Sequence, residues 1–361
     1  MRTLLCLLSG QHVPNLLAVH HFSPDRLVLI ETIGMKKKHA AENFLEALKA
    51  GNIDYSGHND IIHLEKEDDF PVIRSCMEKI YNLFPADEWI VVLTGGTKPM
   101  AICAYEFFYN KNQHCIYTNV DSPEKIMDVK TGKTEECKYR ISIKEFLAGY
   151  GFGIDGNCEK NEKQNEKWWE CSRIIAENEA DFTFLASNDE ERNVARNHGY
   201  DLQSDIISKT AIVSDSIASA FEVLNNSGKI TGKIDKYQAQ FLTGGWLETF
   251  IWGLLKKHQD ILGIYDVRLG LKVKGINTTT NNDFDVCFMK NNSLSMIECK
   301  SGTQGNDKAG DILYKVEALI RQFRALRVNT CIVTTGTNLF DDKGKLKQNI
   351  KDRTAIYNAR L

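Results

Sequence analysis

Acidic and basic residues in the segment 281–302, NNDFDVCFMKNNSLSMIECKSG, have the types and spacing of a hydrolytic site. Two apolar runs flank Asn291-Asn292, and asparagine tolerates the positive φ that a two-residue hairpin turn requires. A turn at these asparagines places Asp285 directly opposite Glu298. Because strand side chains alternate between faces, Glu298 and Lys300 lie on the same face. The segment therefore predicts a sheet patch that gathers carboxylates and one ammonium group.

Carboxylates on one patch repel each other, and a divalent cation that takes oxygen ligands, Mg²⁺ or Mn²⁺, relieves that repulsion. Such a cation can polarise a phosphoryl oxygen and lower the pKa of water, while a nearby lysine positions the nucleophile. Two alternatives stay open. Asp283 would face Lys300 and competes with Asp285 as the acid of the first strand. The patch could also be a solvated strand face that holds only a cross-strand ion pair.

A second group of candidate residues lies in the loop 93–100, LTGGTKPM, which follows an apolar run and opens a predicted helix. Its glycines allow close approach of a ligand, and free N–H groups at a helix start favour anions. The loop has neither the GxGxxG pattern nor the GK[ST] ending, which disfavours dinucleotide and ATP sites. Two other strand ends, at 9–15 and 31–35, are expected in the same crevice by the switch-point rule for open α/β sheets.

The elements that must position these loops alternate between strand and helix up to about residue 150. Short continuous apolar runs predict strands that are covered on both faces, and the alternation predicts a doubly wound, mostly parallel sheet. The predicted strands are Thr3–Leu8, Arg26–Glu31, Asp60–Leu64, Glu88–Leu93 and Cys115–Val120, and the predicted helices are Lys36–Lys49, Phe70–Phe84 and Pro99–Lys111. A hairpin that turns at residues 131–133 is expected after them.

The hydrophobic and polar pattern divides the chain into three parts: 1–150, a mainly helical linker or accessory region 151–235, and 236–361. In the last part a helix carrying Gly244-Gly245-Trp246-Leu247-Glu248 is expected to precede the hairpin, as a second α/β unit. A helix near Ala309–Leu326 and a strand Cys331–Thr335 should follow it. That later helix carries basic residues that could track a phosphate backbone, or lie on a solvated face: Lys315, Arg321, Arg324 and Arg327.

The composition is that of a folded globular chain, because 42% of its 361 residues are hydrophobic and 26% are charged. No apolar run approaches the ~20 residues that cross a bilayer, so no membrane association is expected. Ten cysteines are scattered without a CxxC pair, which predicts reduced thiols of a cytoplasmic protein. The net charge of −3 conceals a basic excess after residue 240, which hints at a polyanionic partner.

The acid–lysine hairpin between two helices resembles the PD-(D/E)xK nuclease superfamily. That resemblance implies a restriction-endonuclease-like α/β domain in which Glu248, Asp285 and Glu298 bind Mn²⁺ or Mg²⁺. It also implies that Glu298 serves as a possible base, and that Lys300 orients the attacking water or stabilises the phosphate. The proline that precedes the first acid in many members is absent here.

The three loops of the first half, with LTGGTKPMA foremost, resemble the CARF domain, the Rossmann-like sensor of cyclic oligoadenylates in type III CRISPR immunity. The whole chain then resembles a CRISPR ancillary nuclease in which CARF is fused to a PD-(D/E)xK domain. The resemblance implies a homodimer that binds cyclic tetraadenylate across its two-fold axis and then cleaves DNA or RNA. The ligand-binding residues expected from the loops are Ser9, Gly10, Gln11, Pro14, Asn15, Thr32, Met35, Thr94, Gly95, Gly96, Thr97 and Lys98.

An alternative of another class remains at this point. The chain could be a non-catalytic regulator that responds to a nucleotide and binds nucleic acid through its basic C-terminal part. A CARF domain that degrades its own ligand is a further possibility, although no catalytic group for that reaction stands out in the sequence.

Overall fold

The computed structural model describes residues 1–119, 122–156, 158–185, 189–275, 281–302 and 328–336, with a few single positions and a short strand beyond. The predicted helix near Ala309–Leu326, with its basic residues, lies outside the described residues. So does the part of the third region between 303 and 327.

A seven-stranded sheet forms the first half, in the order β3-β2-β1-β4-β5-β6-β7. The first five strands are parallel, and the last two pair antiparallel as the expected hairpin. The strands are β1 (Arg2–Leu7), β2 (Arg26–Thr32), β3 (Asn59–Leu64), β4 (Glu88–Val92), β5 (His114–Asn119), β6 (Ser122–Asp128) and β7 (Thr134–Glu136). The order reverses at β1, so the predicted doubly wound fold is confirmed.

Helices cover both faces of this sheet, because alternate residues of its strands are buried on opposite sides. Leu4 and Cys6 pack with residues of α1 and α3, whereas Leu5 and Leu7 pack with residues of α4 and α5. The helices are α1 (Val13–Phe22), α2 (Ile33–Lys36), α3 (Ala40–Ala50), α4 (Phe70–Leu83), α5 (Lys98–Asn110) and α6 (Ile143–Gly149). Two findings differ from the expectation. The sequence analysis did not predict α1, and the helix expected over Lys36–Lys49 is two helices separated by His39, whose φ is 55°.

The region 151–235 combines helices with strands. A short strand, β8 (Phe152–Asp155), precedes the long helix α7 (Cys158–Glu177), and α8 (Asp189–His198) and α9 (Ala211–Phe221) follow. Three strands form a small antiparallel sheet in the order β10-β11-β9: β9 (Tyr200–Asp205), β10 (Leu224–Asn226) and β11 (Lys229–Ile234). The boundaries at 150 and 235 stay predictions.

A six-stranded sheet forms the last part, in the order β16-β15-β14-β13-β12-β8. Its helices are α10 (Lys236–Gln240), α11 (Trp246–Lys257) and α12 (Gln259–Leu262), and its further strands are β12 (Ile264–Gly275), β13 (Asn281–Lys290), β14 (Ser293–Lys300), β15 (Val328–Thr334) and β16 (Ala359–Arg360). Strands β12, β13 and β14 form an antiparallel meander, and β14 pairs parallel with β15. This is the second α/β unit that the sequence predicted.

The two faces of the second sheet contact different parts of the chain. Met289 and Leu294 belong to one hydrophobic core with helices α1 and α3 of the first half. Val286 and Ile297 belong to another core, which contains residues of α7, α9 and α11. The second sheet is therefore packed between the first half and the middle region.

Each of the nine cysteines whose side chains are described is a free thiol. In the part of the chain that the structure describes, no helix has the length and apolar character needed to span a membrane.

Candidate active site and sensor loops

The hairpin of β13 and β14 turns at the two asparagines, whose φ angles are 49° and 55°. Its pairs run from Lys290↔Ser293 to Val286↔Ile297, which is the predicted register. One step further along this register, the Asp285 carboxylate accepts a hydrogen bond of 2.7 Å from the backbone N–H of Cys299. The first acid of the predicted pair therefore lies beside the ExK strand.

Lys300 lies between the two strand carboxylates. Its Nζ is 2.7 Å from Oε1 of Glu298 and 3.7 Å from Oδ2 of Asp285. Glu298 is only 7% exposed, and Cys299 is buried in the core on the opposite face. Burial alone would lower the pKa of Lys300, but the charges of Asp285 and Glu298 outweigh that effect and raise it. The lysine stays protonated and balances the charge of the acids.

Glu248 reaches this cluster from the first turn of α11. Gly244, which precedes the helix, has a φ of 150°, and a Cβ there would lie 3.1 Å from Oγ of Ser301. Glycine therefore lets the helix start close to the end of β14. Burial, followed by the negative charges of Asp285 and Glu298, raises the pKa of Glu248 to about 8. The structure thus brings together all four residues that the sequence analysis selected for this site.

Asp283, the alternative acid, has a different position. It is exposed, and in the sheet it lies opposite Lys272 of β12. The ion pairs of Lys300 among the described residues go to Asp285 and Glu298. The geometry therefore favours Asp285 over Asp283 as the acid of the first strand.

The chemistry of the donor set fits a hard divalent cation, because it consists of three carboxylates and places the charges of Asp285 and Glu298 close to a half-buried Glu248. In the described parts of the chain, no three His, Cys, Asp or Glu side chains are already spaced to hold a metal ion. The Lys300 ammonium supplies the positive charge between Asp285 and Glu298. A cation that binds here must therefore displace Lys300 from at least one of these two acids.

The predicted ligand-binding loops meet at the carboxyl ends of β1, β2 and β4. A Cβ at Gly95 would lie 1.8 Å from the carbonyl oxygen of Leu7, so only glycine fits between the loop and β1. The Asn15 side chain donates a hydrogen bond of 3.2 Å to the same carbonyl group. Gly96 has a φ of 70°, which also favours glycine. The loops 9–15 and 93–98 are therefore in direct contact.

Most of the hydroxyl groups in these loops hold the loops themselves. Thr32 caps α2 and Thr97 caps α5, and Thr97 also donates to the carbonyl group of Glu67 at 3.0 Å. Thr94 bonds to Thr118 on the neighbouring strand. These hydroxyl groups therefore have partners within the protein and help to hold the loops in position.

The other predicted ligand-binding residues differ from one another in solvent exposure. Gly10 and Lys98 are exposed, and Ser9, Gln11 and Met35 are partly exposed at the same end of the sheet. Pro14 and Asn15 are buried at the start of α1, and Oδ1 of Asn15 has no hydrogen-bond partner among the described residues. The crevice therefore offers a cation, backbone groups and one buried amide oxygen.

The sequence analysis missed three exposed lysines at this edge, in the run 36–38 directly after Met35. The uninterrupted KKK motif was a visible signal for them. A polyphosphate ligand requires positive charge, and the first 240 residues are acidic as a whole. These lysines supply local positive charge beside the loop at the end of β2.

The first half contacts the active-site hairpin directly. Oδ1 of Asn292, in the turn, accepts hydrogen bonds from the backbone N–H of Ile141 at 2.8 Å and from the Tyr265 hydroxyl at 2.9 Å. The N–H of Ile143, at the start of α6, donates to Asp266 at 2.6 Å. The two predicted sites are thus joined by one short segment that follows β7.

Comparison with solved structures shows the same fold over the whole chain. Can2 from Sulfobacillus thermosulfidooxidans, solved in complex with cyclic tetra-adenylate, aligns with a TM-score of 0.70 and 22% identity over 100% of this chain and 95% of its own. Protein VC1899 from Vibrio cholerae aligns with a TM-score of 0.77 and 18% identity over 100% and 93%. A type III CRISPR defence DNA nuclease activated by cyclic oligoadenylate aligns with a TM-score of 0.59 and 15% identity over 98% and 51%. No curated protein sequence matches the chain.

Two protein-family models match separate parts of the sequence. Residues 3–146 match the Card1 CARF domain, and residues 235–357 match the Card1-like endonuclease domain. The matched ranges contain the sensor loops and the acid–lysine cluster, respectively. They confirm the expected fusion of a CARF domain with a nuclease domain and decide against the non-catalytic alternative. The chain therefore combines a Card1 CARF domain with a Card1-like endonuclease domain.

Proposed function

We propose that this protein is a metal-dependent nuclease of type III CRISPR defence that cyclic oligoadenylate activates. The observation that carries the proposal is the convergence of Glu248, Asp285, Glu298 and Lys300 at the end of one hairpin. The CARF domain supplies the regulatory half. The defence role and the reduced thiols both favour the cytoplasm as its compartment.

The activator that we propose is cyclic tetraadenylate, bound by a homodimer. The solved Can2 complex, which shares the fold, contains this ligand. A cyclic tetranucleotide has approximate two-fold symmetry, and a two-fold dimer offers the same loops twice. The exposed Lys98 and the lysines of the 36–38 run would provide charge for the phosphates. Any activation then requires that the active form of the dimer binds the ligand more tightly.

In the proposed reaction, water attacks a phosphodiester phosphorus in line, and the P–O bond to the opposite sugar oxygen breaks. One fragment keeps the phosphate, and the sugar oxygen of the other takes up a proton from solvent and leaves as a hydroxyl group. Glu248, Asp285 and Glu298 would hold Mn²⁺ or Mg²⁺, which when bound polarises a phosphoryl oxygen and makes water more acidic. With a cation bound by the acids, the Lys300 ammonium would be available to stabilise the added negative charge of the phosphate. The Glu298 carboxylate can accept the proton of the attacking water.

The test is a cleavage assay in which wild type is compared with Glu298→Gln and Lys300→Ala. Each variant should lose cleavage by a factor of 10² or more, while its affinity for cyclic tetraadenylate stays unchanged. Lys290→Ala is the matched control, since Lys290 is an exposed lysine on the same hairpin. Cleavage by either active-site variant at the wild-type rate would contradict the assignment.

The same assay identifies the activator, the metal and the substrate. Cyclic tri-, tetra- and hexaadenylate are each added with Mg²⁺ or Mn²⁺, on single- and double-stranded DNA and RNA. We expect cyclic tetraadenylate to give the largest stimulation. Lys98→Ala should shift the activation curve to higher ligand concentration without changing cleavage at saturation. Stimulation by another ring size alone would contradict the proposed activator.

A further inference from the structure

A cavity of about 170 Å³ opens directly beside Glu248. The middle region contributes part of its wall, although the family models of the CARF and endonuclease domains leave residues 147–234 unmatched. Helices α7 and α8 of the middle region supply Asn161, Gln164, Asn165, Trp168 and Arg196, and α10 and the start of α11 supply Tyr237, Gln240, Glu248 and Thr249. The active site is thus completed by a segment whose role the sequence did not indicate.

Arg196 is the cation of this wall. It lies in the last turn of α8 and lines the same cavity as Glu248. Its backbone is fixed, because its carbonyl oxygen accepts a hydrogen bond of 2.8 Å from the Gln240 side chain. The arginine is therefore held at the active site by the contact between α8 and α10.

The side chain of Arg196 differs from other arginines of the middle region in its partners. Arg192, one turn earlier on α8, pairs with Asp189, and Arg173 pairs with two glutamates of α7. Among the described residues, the guanidinium of Arg196 forms no ion pair. A guanidinium beside a carboxylate cluster, with no acid bound to it, is arranged to receive an anion from outside.

Tyr237 gives this wall an aromatic surface. It lies on α10 and is 52% exposed, and the Lys236 Nζ lies 5.0 Å from the centre of its ring. A capping box between Asp235 and Gln238 fixes the start of the helix. An exposed aromatic ring next to two cations is a surface on which a nucleic acid base stacks. The cavity has the size for one small group such as a base, below the range of pockets for larger ligands.

We propose that Arg196 and Tyr237 form a substrate subsite of the nuclease, in which Arg196 binds a backbone phosphate next to the scissile one and Tyr237 stacks an unpaired base. The stacking on Tyr237 requires an unpaired base, because a base in an intact duplex is not free to enter the cavity. This inference rests on the proposed cleavage at the Glu248 cluster.

The experiment measures binding of a labelled single strand to the full-length protein in a Glu298→Gln background, with cyclic tetraadenylate and Ca²⁺ present. Arg196→Gln should weaken binding, and the slope of log K against log salt should become shallower by about 0.7. Tyr237→Ala should weaken binding by about 5- to 100-fold. Arg192→Gln, on the same helix but outside the cavity, is the control and should match the parent.

Arg196→Lys keeps a point charge and should recover the salt slope but only part of the affinity. In an otherwise wild-type enzyme, Arg196→Gln should raise KM for a single strand more than it lowers kcat. Equal binding by Arg196→Gln and Arg192→Gln would overturn the subsite. A loss of affinity on Tyr237→Ala that is as large for a blunt duplex as for the single strand would overturn the stacking of an unpaired base on Tyr237.

These outcomes are distinguishable from a failure of the proposed function. If the wild-type protein does not cleave under any condition but the Arg196 and Tyr237 variants lose single-strand binding, the nuclease proposal fails and the binding subsite stands. Tyr237 is exposed, so Tyr237→Ala tests the subsite even if Arg196→Gln does not fold.

Discussion

Replacement of Asn292 by glycine tests the contact between the sensor half and the active-site hairpin. The side chain of Asn292 is 5% exposed and accepts two hydrogen bonds, from Ile141 and Tyr265. Glycine adopts the positive φ of this position without strain, so the substitution removes the two hydrogen bonds and keeps the turn. Asn291→Gly is the matched control, because Asn291 has a similar φ and is exposed.

The expected loss of stability in Asn292→Gly follows from two hydrogen-bond donors, the Ile141 N–H and the Tyr265 hydroxyl, which lose their acceptor. The backbone N–H of Ile141 is buried, and an unsatisfied buried donor costs about 1–3 kcal/mol. The Tyr265 hydroxyl borders a cavity of about 480 Å³, where water can replace the asparagine, so its cost lies near ~1 kcal/mol. Asn292→Gly should therefore lower the free energy of unfolding by about 2–4 kcal/mol. Asn291→Gly should change it by less than about 0.5 kcal/mol.

Urea unfolding followed by tryptophan fluorescence measures both variants. The midpoint should fall for Asn292→Gly with an unchanged m-value, since the surface that unfolding exposes stays the same. An equal loss in both variants would show that turn geometry, and not the contact with Ile141, determines the effect. A loss below about 1 kcal/mol in Asn292→Gly would refute the idea that this contact joins the two halves.

Three further predictions concern the two sites. The pKa of Glu248 is raised from an ordinary 4.5 to about 8, so between these pH values the folded state holds a proton that the unfolded chain releases. The free energy of unfolding of the metal-free protein should therefore fall as pH rises from 4.5 to 8. Glu248→Gln should remove that fall in melting experiments with chelator, and persistence of the full pH dependence would contradict the assignment. Chelator should abolish cleavage and Mn²⁺ should restore it, and Mn²⁺ should raise the melting temperature of wild type but not of Glu248→Gln. Gly95→Ala, which forces a Cβ onto the Leu7 carbonyl group, should cost about 1–3 kcal/mol and weaken cyclic tetraadenylate binding in calorimetry. Gly153→Ala, where the space is open and which lies outside the sensor loops, should do neither.

The hairpin was predictable because its register depends on two local features. The alternation of side chains fixes which residues share a face, and the two asparagines fix the turn, so the position of Asp285 beside the ExK strand follows. The strands of the first sheet were predictable for a related reason. They are buried on both faces, and they read as short continuous apolar runs.

Helix α1 was not predictable from its pattern. Val13 to Val19 are all buried, so the segment is apolar on every side and lacks the 3.6-residue period of a surface helix. The division between α2 and α3 depends on His39, whose left-handed φ the sequence does not signal. The strand Tyr200–Asp205 is polar, and only its pairing with β11 makes it a strand. In each case tertiary contacts, not local preference, determine the structure.

The active site was predictable only in part for the same reason. Glu248, Asp285, Glu298 and Lys300 lie in two segments with recognisable motifs. Arg196 has no such motif, because its approach to Glu248 depends on how α8 packs against α10. When two residues meet only because distant segments pack together, no motif or residue spacing in the sequence predicts their contact.

The strand Phe152–Asp155 limits how far the chain can be truncated from its N-terminal side. It pairs with Lys272–Gly275 and covers the outer edge of a twelve-residue strand. A fragment that begins at residue 235, where the endonuclease match starts, would leave that edge bare and would also lack the helix that fills one side of the sheet. Bare edges invite strand pairing between copies, so such a fragment should aggregate. The endonuclease part therefore needs the residues from Phe152 onward to close this edge of its sheet.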